Sequence, residues 1–154
     1  MGLITATTLT IEEDAHRAPQ HADAGHGSSQ RTVLYVEDNP ASLELVEQLI
    51  ALRADLNLIT ATDGNSGVQF AHAYLPDVIL MDINLPGISG LEAMRVLRAD
   101  PSTAHIPIIA LSANALPGDI SSAIGSGFFS YLTKPINLSQ FMNSLNAALA
   151  TVNR

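Results

Sequence analysis

The sequence predicts an α/β domain in which five parallel strands alternate with five helices and form a sheet covered by helices on both faces. Short apolar runs recur from about residue 32 onwards, and a segment of helix-forming residues follows each run. The runs are continuous, as in strands buried on both faces of a parallel sheet. Strands that alternate with helices of roughly 10–15 residues imply right-handed crossovers between parallel neighbours. The order of elements therefore favours a doubly wound fold.

The first half of the domain contains two strand–helix units. Residues 32–36 form a β-branched run, after which Asn39 predicts a helix cap and Pro40 a first helical residue. Apolar residues then recur at helical spacing. Residues 58–61 predict the second strand, and residues 65–74 predict the second helix.

The third strand, predicted at residues 77–81, has four apolar residues in a row from Val78 to Met81, and the acid Asp82 follows them. Pro86 and Gly87 predict a turn soon after it, because proline lacks an N–H and Pro-Gly is a turn signal. The remaining elements are, in order, a helix at 89–98, a strand at 106–111, a weak helix at 115–125, a strand at 128–132 and a last helix from about residue 138, capped by Asn137.

Composition excludes several classes of protein. The chain has 154 residues, a formal net charge of −8 and no cysteine, so a nucleic-acid-binding face, disulfides and thiolate metal sites are not expected. No apolar run has the length of a membrane span and no signal peptide is visible, which fits a cytoplasmic protein without membrane insertion. No glycine-rich phosphate loop follows the first strand. Lys134 is the only lysine in the chain.

Residues 1–30 differ from the rest and predict a flexible tail or linker, which leaves residues 31–151 as the folded domain. Small polar residues and histidine dominate this segment. His16, His21 and His26 recur every five residues. That spacing matches no helix face, so a polar linker is favoured over a metal site.

Polar side chains follow four of the five predicted strands directly. The acids come after the first and third strands, a hydroxyl after the fourth and the lysine after the fifth; these residues are Glu37, Asp38, Asp82, Ser112 and Lys134. Asp82 alone is equally well explained as a turn residue. Because the carboxyl ends of parallel strands meet at one edge of the sheet, however, all five are expected to converge in a single crevice.

The chemistry of such a group points to phosphoryl transfer. Carboxylates held close together repel each other unless a cation or a proton neutralises them, and oxygen ligands suit Mg²⁺. An aspartate can attack a phosphoryl group and form an aspartyl phosphate. Lys134 can supply a second positive charge, and the Ser112 hydroxyl can donate a hydrogen bond to a phosphoryl oxygen.

Residues 32–150 resemble the receiver domain of response regulators, the phosphoacceptors of two-component signalling. The resemblance rests on four segments: the acid pair Glu37-Asp38, the Met-Asp-Ile-Asn-Leu-Pro-Gly loop at 81–87, Ser-Ala-Asn-Ala at 112–115 and Tyr-Leu-Thr-Lys-Pro at 131–135. It implies a flavodoxin-like fold with strand order 2-1-3-4-5. It also implies a phosphorylation-activated signalling switch rather than an enzyme.

The resemblance implies a phosphoacceptor and a Mg²⁺ site. Asp82 would take the phosphoryl group from the phosphohistidine of a histidine kinase or histidine phosphotransfer protein. Asp38 would ligate Mg²⁺ directly, Glu37 mainly through water, and the Asn84 backbone carbonyl would complete the protein's ligands. Many members have aspartate where this chain has Glu37, a variant that can alter the metal geometry. A charge favoured by the helix N-terminus is the other interpretation of Glu37.

The resemblance also assigns roles around the phosphoryl group. Ser112 would move towards it, Lys134 would pair with it, and the Lys134–Pro135 bond would be cis. Tyr131 would turn inward as an aromatic switch, although ordinary strand packing explains a tyrosine there too. Asn84 and Asn114 flank the site, either as residues that tune phosphate lifetime or as plain loop residues.

The implied output is a changed face formed by the fourth helix, the fifth strand and the fifth helix, which is also a possible homodimer contact. Two alternatives remain at this stage: a haloacid-dehalogenase-like Mg²⁺-dependent phosphatase, and a degenerate receiver that only docks. The first is disfavoured because Asn84 stands where those enzymes carry a second aspartate. The chain is expected to be a stand-alone receiver or the C-terminal receiver of a hybrid histidine kinase.

Overall fold

The computed structural model of the protein describes residues 30–113 and 117–152. Residues 1–29 of the predicted tail at 1–30 lie outside the described residues, as do the predicted site neighbour Asn114 and the expected start of the fourth helix at residue 115. The elements are β1 Arg31–Val36, α1 Pro40–Ala51, β2 Leu56–Ala61, α2 Gly64–Tyr74, β3 Val78–Asp82, α3 Gly90–Ala99, β4 Ile108–Ser112, α4 Pro117–Ser126, β5 Ser130–Thr133 and α5 Leu138–Val152.

The five strands form one parallel sheet in the order β2-β1-β3-β4-β5, which confirms the predicted fold. Every residue of β3 and β4 is buried. One apolar cluster packs α2 and α3 against one face of the sheet, and a second cluster packs α1 and α5 against the other. The continuous apolar runs are explained by this cover on both faces.

Three predicted strand starts are wrong by two residues. β2 begins at Leu56 instead of residue 58, because the exposed Asn57 interrupts the apolar run within the strand. β4 begins at Ile108 instead of residue 106, and β5 at Ser130 instead of residue 128. Ile106 and Phe128 are both buried in the cluster under α2 and α3, but they precede the paired residues. An apolar run indicates that its side chains are buried, whereas a strand also requires its backbone to be hydrogen-bonded to a neighbouring strand.

Side-chain caps begin four of the helices within short connections. Asn39 accepts a hydrogen bond from the Ser42 amide at 3.0 Å, and Asn137 accepts one from the Gln140 amide at 3.0 Å, as the sequence predicts. Asp63 caps α2 through the Ser66 amide, and Ser89 forms a capping box with Glu92 on α3. These caps fix where the helices start beside the carboxyl ends of the strands.

The predicted apolar stripe of α5 is buried over most of its length. Phe141, Leu145 and Leu149 belong to the core, whereas Leu138, in the first turn, remains 49% exposed. None of the helices in the described part of the chain is long and apolar enough to cross a membrane.

Candidate functional site

The register of the strands brings the predicted site residues to one edge of the sheet. Glu37 and Asp82 sit beside each other there, Ser112 closes β4, and Lys134 follows β5. The backbone amide of Lys134 donates to the Ser112 carbonyl at 2.8 Å, which ties the last two together. The strand pairs that set this alignment are Val36–Met81, Asp82–Leu111 and Ser112–Thr133.

Glu37 is a buried carboxylate with three hydrogen-bond donors. The Tyr35 hydroxyl donates to its Oε1 at 2.9 Å, and Lys134 Nζ donates to the same oxygen at 2.7 Å. The Asn39 backbone amide donates to Oε2 at 3.1 Å. Only 1% of Glu37 is exposed, so its position is set by these contacts and not by solvent.

Asp82 is the second buried carboxylate of the site and is 4% exposed. The backbone amide of Asn84 donates to its Oδ1 at 3.3 Å, while Lys134 Nζ lies 3.5 Å from the same oxygen. Lys134 therefore bridges Glu37 and Asp82. Asp38 stands at the mouth of the site and is exposed.

One ammonium group is shared by two buried carboxylates, and the electrostatics reflect that imbalance. Burial raises the pKa of Asp82 to about 6; the Glu37 charge adds to the increase, and Lys134 opposes it. Burial also favours the neutral form of Glu37, but hydrogen bonds from Lys134, Asn39 and Tyr35 outweigh it and hold the Glu37 pKa below its usual value. The two acids raise the pKa of Lys134 despite its burial.

The donor set at this edge fits a hard divalent cation. Carboxylate oxygens of Glu37, Asp38 and Asp82 lie within 4.8 Å of one another. Oxygen ligands of this kind suit Mg²⁺, which retains several waters and takes few protein ligands. Three acids with a single lysine also leave excess negative charge, which a cation would neutralise. The exposed Asn84 lies on the loop beside these acids.

The other residues predicted for the site surround this cluster. Ser112 is buried at the end of β4. Tyr131 is half-buried on β5 and packs against the cluster under α2 and α3. The Lys134–Pro135 peptide bond is cis, as the resemblance implied.

Two residues near the site were not predicted from the sequence. Gly90 begins α3 directly against β3: a Cβ there would lie 2.2 Å from the Asp82 carbonyl oxygen, so only glycine fits. Tyr35 is fully buried and contacts Glu37. The signal for Tyr35 was the alternation of side chains along a strand, which turns residues two apart to the same side. No pattern in the sequence identifies Gly90.

Comparisons with known proteins agree with this geometry. The sequence model described as the response regulator receiver domain matches residues 33–146. The polar-differentiation response regulator DivK of Brucella anthropi is 35% identical over 119 residues, which cover 77% of this chain and 96% of DivK.

Solved receiver domains share the fold. One is the receiver domain of a sensor histidine kinase from Pseudomonas aeruginosa PAO1, with a magnesium ion coordinated in its active-site cleft: it is 33% identical, has a TM-score of 0.72, and the match covers 79% of this chain and 98% of that one. The signal receiver domain of a signal transduction histidine kinase from Syntrophus aciditrophicus is 25% identical with a TM-score of 0.73, over 80% of this chain and 93% of that one.

Proposed function

The chain belongs to the response regulator receiver family, whose members are phosphorylation-activated signalling switches, and on that premise we propose that Asp82 is its phosphoacceptor. The observation that carries the proposal is a buried carboxylate at the end of the central strand, with the only lysine of the chain 3.5 Å away. Two further acids beside it supply oxygen ligands. The intact cluster favours a phosphorylated receiver over a degenerate docking module.

The reaction assigned to Asp82 is a phosphoryl transfer. A carboxylate oxygen of Asp82 attacks the phosphorus of a phosphohistidine, the P–N bond breaks, and the imidazole leaves with the bond's electron pair. An acyl phosphate on Asp82 results. Positioning and charge neutralisation dominate catalysis of such transfers. Lys134 binds one phosphoryl oxygen, and the Ser112 hydroxyl donates to another.

The proposed metal ligands are Asp38, Asp82 and the Asn84 backbone carbonyl, with Glu37 acting mainly through water. When bound, Mg²⁺ supplies positive charge against the incoming phosphoryl oxygens. The excess negative charge of the acid cluster supports this assignment, as does the magnesium ion in the related receiver from Pseudomonas aeruginosa.

The proposed switch couples the phosphoryl group to the face formed by α4, β5 and α5. Lys134 and Ser112 close on the phosphoryl group, and the segment between them follows. Tyr131, half-buried on β5, is the proposed aromatic switch that turns inward when Ser112 moves. The changed face would contact a target or a second copy of the chain.

The proposed phosphodonor is a cytoplasmic histidine kinase or a histidine phosphotransfer protein. Helix α1 begins two residues after the acid pair, and its Leu45 is 39% exposed. Leu52, the C-cap residue of this helix, is 69% exposed and lies seven residues further along the same side. Exposed apolar side chains on the helix that starts at the acid pair suit contact with the helix that carries the donor histidine.

The test is phosphoryl uptake from acetyl phosphate with Mg²⁺, measured by intact mass spectrometry. The wild-type chain is expected to gain one phosphoryl group, and Asp82→Asn none. Asp55→Asn is the matched control, because Asp55 is exposed and pairs with Arg53, away from the acid cluster; it is expected to react as the wild type does. Uptake by Asp82→Asn would overturn the proposal.

A further inference from the structure

Tyr35 is a buried polar side chain beside the site that the phosphoryl chemistry leaves without a role. It lies on β1, is 0% exposed, and its neighbours Val33, Leu34 and Val36 are buried aliphatic residues. An apolar side chain of similar size would fill this position equally well if packing were its only role. The hydroxyl instead donates to Glu37 Oε1 at 2.9 Å, so the buried phenol on β1 forms a pair with the buried acid that directly follows this strand.

The two oxygens of Glu37 are held by different kinds of donor. Oε2 accepts from the Asn39 backbone amide, which belongs to the fixed start of α1. Oε1 accepts from the Tyr35 hydroxyl and from Lys134 Nζ. Lys134 is the donor with a second task, since its Nζ also lies 3.5 Å from Asp82.

Phosphorylation changes what Lys134 must bind. Three phosphoryl oxygens on Asp82 attract its ammonium, and its contact with Glu37 Oε1 weakens as it follows them. Glu37 then remains buried with the Tyr35 hydroxyl as the side-chain donor that still holds Oε1. A glutamate has one more rotatable bond than an aspartate, so it loses its orientation more easily when a partner leaves.

We propose that Tyr35 is a positioning residue that keeps Glu37 oriented towards the metal while Lys134 changes partners. This inference rests on the proposed phosphorylation of Asp82 and concerns the state after it. The proposal also explains why a phenol accompanies glutamate at position 37. The hydroxyl restrains a side chain that is longer than that of aspartate. Its consequence is that the contribution of Tyr35 to metal binding grows when a phosphoryl group is present.

The variant Tyr35→Phe removes the hydroxyl and keeps the ring. Mg²⁺ affinity is measured by NMR titration of the backbone amides, first with Mg²⁺ alone and then with beryllofluoride, which imitates the phosphoryl group on aspartate. Loss of a group that orients a metal ligand weakens metal binding by about tenfold or more. We expect a loss of that size with beryllofluoride and a smaller loss with Mg²⁺ alone.

Tyr74→Phe is the matched control, because it removes a hydroxyl from α2 on the opposite face of the sheet. It is expected to bind Mg²⁺ as the wild type does in both titrations. A second comparison repeats Tyr35→Phe in a Glu37→Asp background, where the shorter acid no longer reaches the phenol. There the removal of the hydroxyl is expected to change the affinity less than twofold, since the two residues act as a unit.

Equal affinities of wild type and Tyr35→Phe in both titrations would overturn the inference, as would an equal loss in the Glu37→Asp background. If Tyr35→Phe does not fold, the inference can still be tested on the wild type through the exchange of the Tyr35 hydroxyl proton. The Tyr35 hydroxyl proton is expected to exchange slowly with water both before and after beryllofluoride is added, and fast exchange afterwards would also overturn the inference. If the wild type neither binds Mg²⁺ nor accepts a phosphoryl group, the proposed function itself fails.

Discussion

At the scale of single residues, the site has more buried carboxylates than positively charged groups to neutralise them. Glu37 and Asp82 are buried, and Lys134 contacts both with one ammonium group. Hydrogen bonds favour the charged form of Glu37. The charged form of Asp82 is disfavoured instead, because burial raises the pKa of this residue to about 6. Because the charged form of Asp82 is disfavoured in the absence of a metal, Asp82 is suited to its proposed role of binding a cation and accepting a phosphoryl group.

This imbalance predicts that Asp82→Asn stabilises the metal-free protein at neutral pH. The pKa of Asp82 is about 6 in the folded state and about 3.9 in the unfolded chain. Between these values the folded state binds more protons, so its stability falls as pH rises through the window, and the whole cost is present above it. The asparagine variant avoids that cost, and we expect it to be more stable by about 1–3 kcal/mol at pH 7.

Urea unfolding in the presence of a chelator measures the effect from pH 3.5 to pH 8, a range set to bracket roughly the two pKa values. The advantage of Asp82→Asn is expected to vanish at the acid end. Asp55→Asn serves as the control, because Arg53 lowers the pKa of Asp55 and its loss brings no gain. An advantage of Asp82→Asn that is independent of pH would contradict the explanation.

At the scale of elements, one side chain joins the connections on either side of the fourth strand. Arg98, on α3, donates through Nε and Nη2 to the Gly127 carbonyl, which follows α4. Its Nη1 donates to the carbonyls of Ala104 and Ile106 at 2.9 and 2.7 Å, before β4. The C-terminal end of α4 is therefore held against α3, and the proposed movement of α4 is expected to be smallest at this end.

This contact predicts that Arg98→Lys destabilises the domain. An ammonium group cannot reproduce the planar fork that serves three carbonyls at once, and each half-buried carbonyl that loses a donor costs stability. We expect a loss of about 1–3 kcal/mol in the free energy of unfolding, measured by urea denaturation. Arg95→Lys, on the same helix but exposed, is the control and should change little; equal effects of the two variants would refute the role given to Arg98.

At the scale of the whole molecule, the fold was predictable because each level of the sequence agrees with the next. The apolar runs predicted the five strands. The polar residues at or just after the ends of these runs were the candidate site residues Glu37, Asp82, Ser112 and Lys134. The misplaced starts of β4 and β5 arose because Ile106 and Phe128 are buried without being paired. Side-chain alternation along β1 could have placed Tyr35 on the side of Glu37, whereas the need for glycine at position 90 depends on a distance between atoms that no residue pattern shows.

The molecule also divides into a firmly packed part and a lightly packed one. Strands β1, β3 and β4 carry the core, and α1, α2 and α3 supply much of the cover on the two faces. The edge strand β5 has four residues, all half-buried, and α4 contains glycines that weaken a helix. Local opening is cheapest where burial is least, so a phosphoryl signal is expected to spread through α4 and β5.

This division predicts where amide hydrogen exchange responds to Mg²⁺ and beryllofluoride. Peptides that cover α4 and β5 are expected to change their exchange rates severalfold, because Ser112 and Lys134, at the two ends of that segment, are both proposed to turn towards the phosphoryl group. Peptides from α2, which packs over β1 and β2 at the other end of the sheet from β5, should remain unchanged. Mass spectrometry of the exchanged peptides provides the measurement, and Asp82→Asn under the same conditions is the control. A response spread evenly over the chain, or one that persists in the asparagine variant, would mean that the switch does not run from Asp82 through α4 and β5.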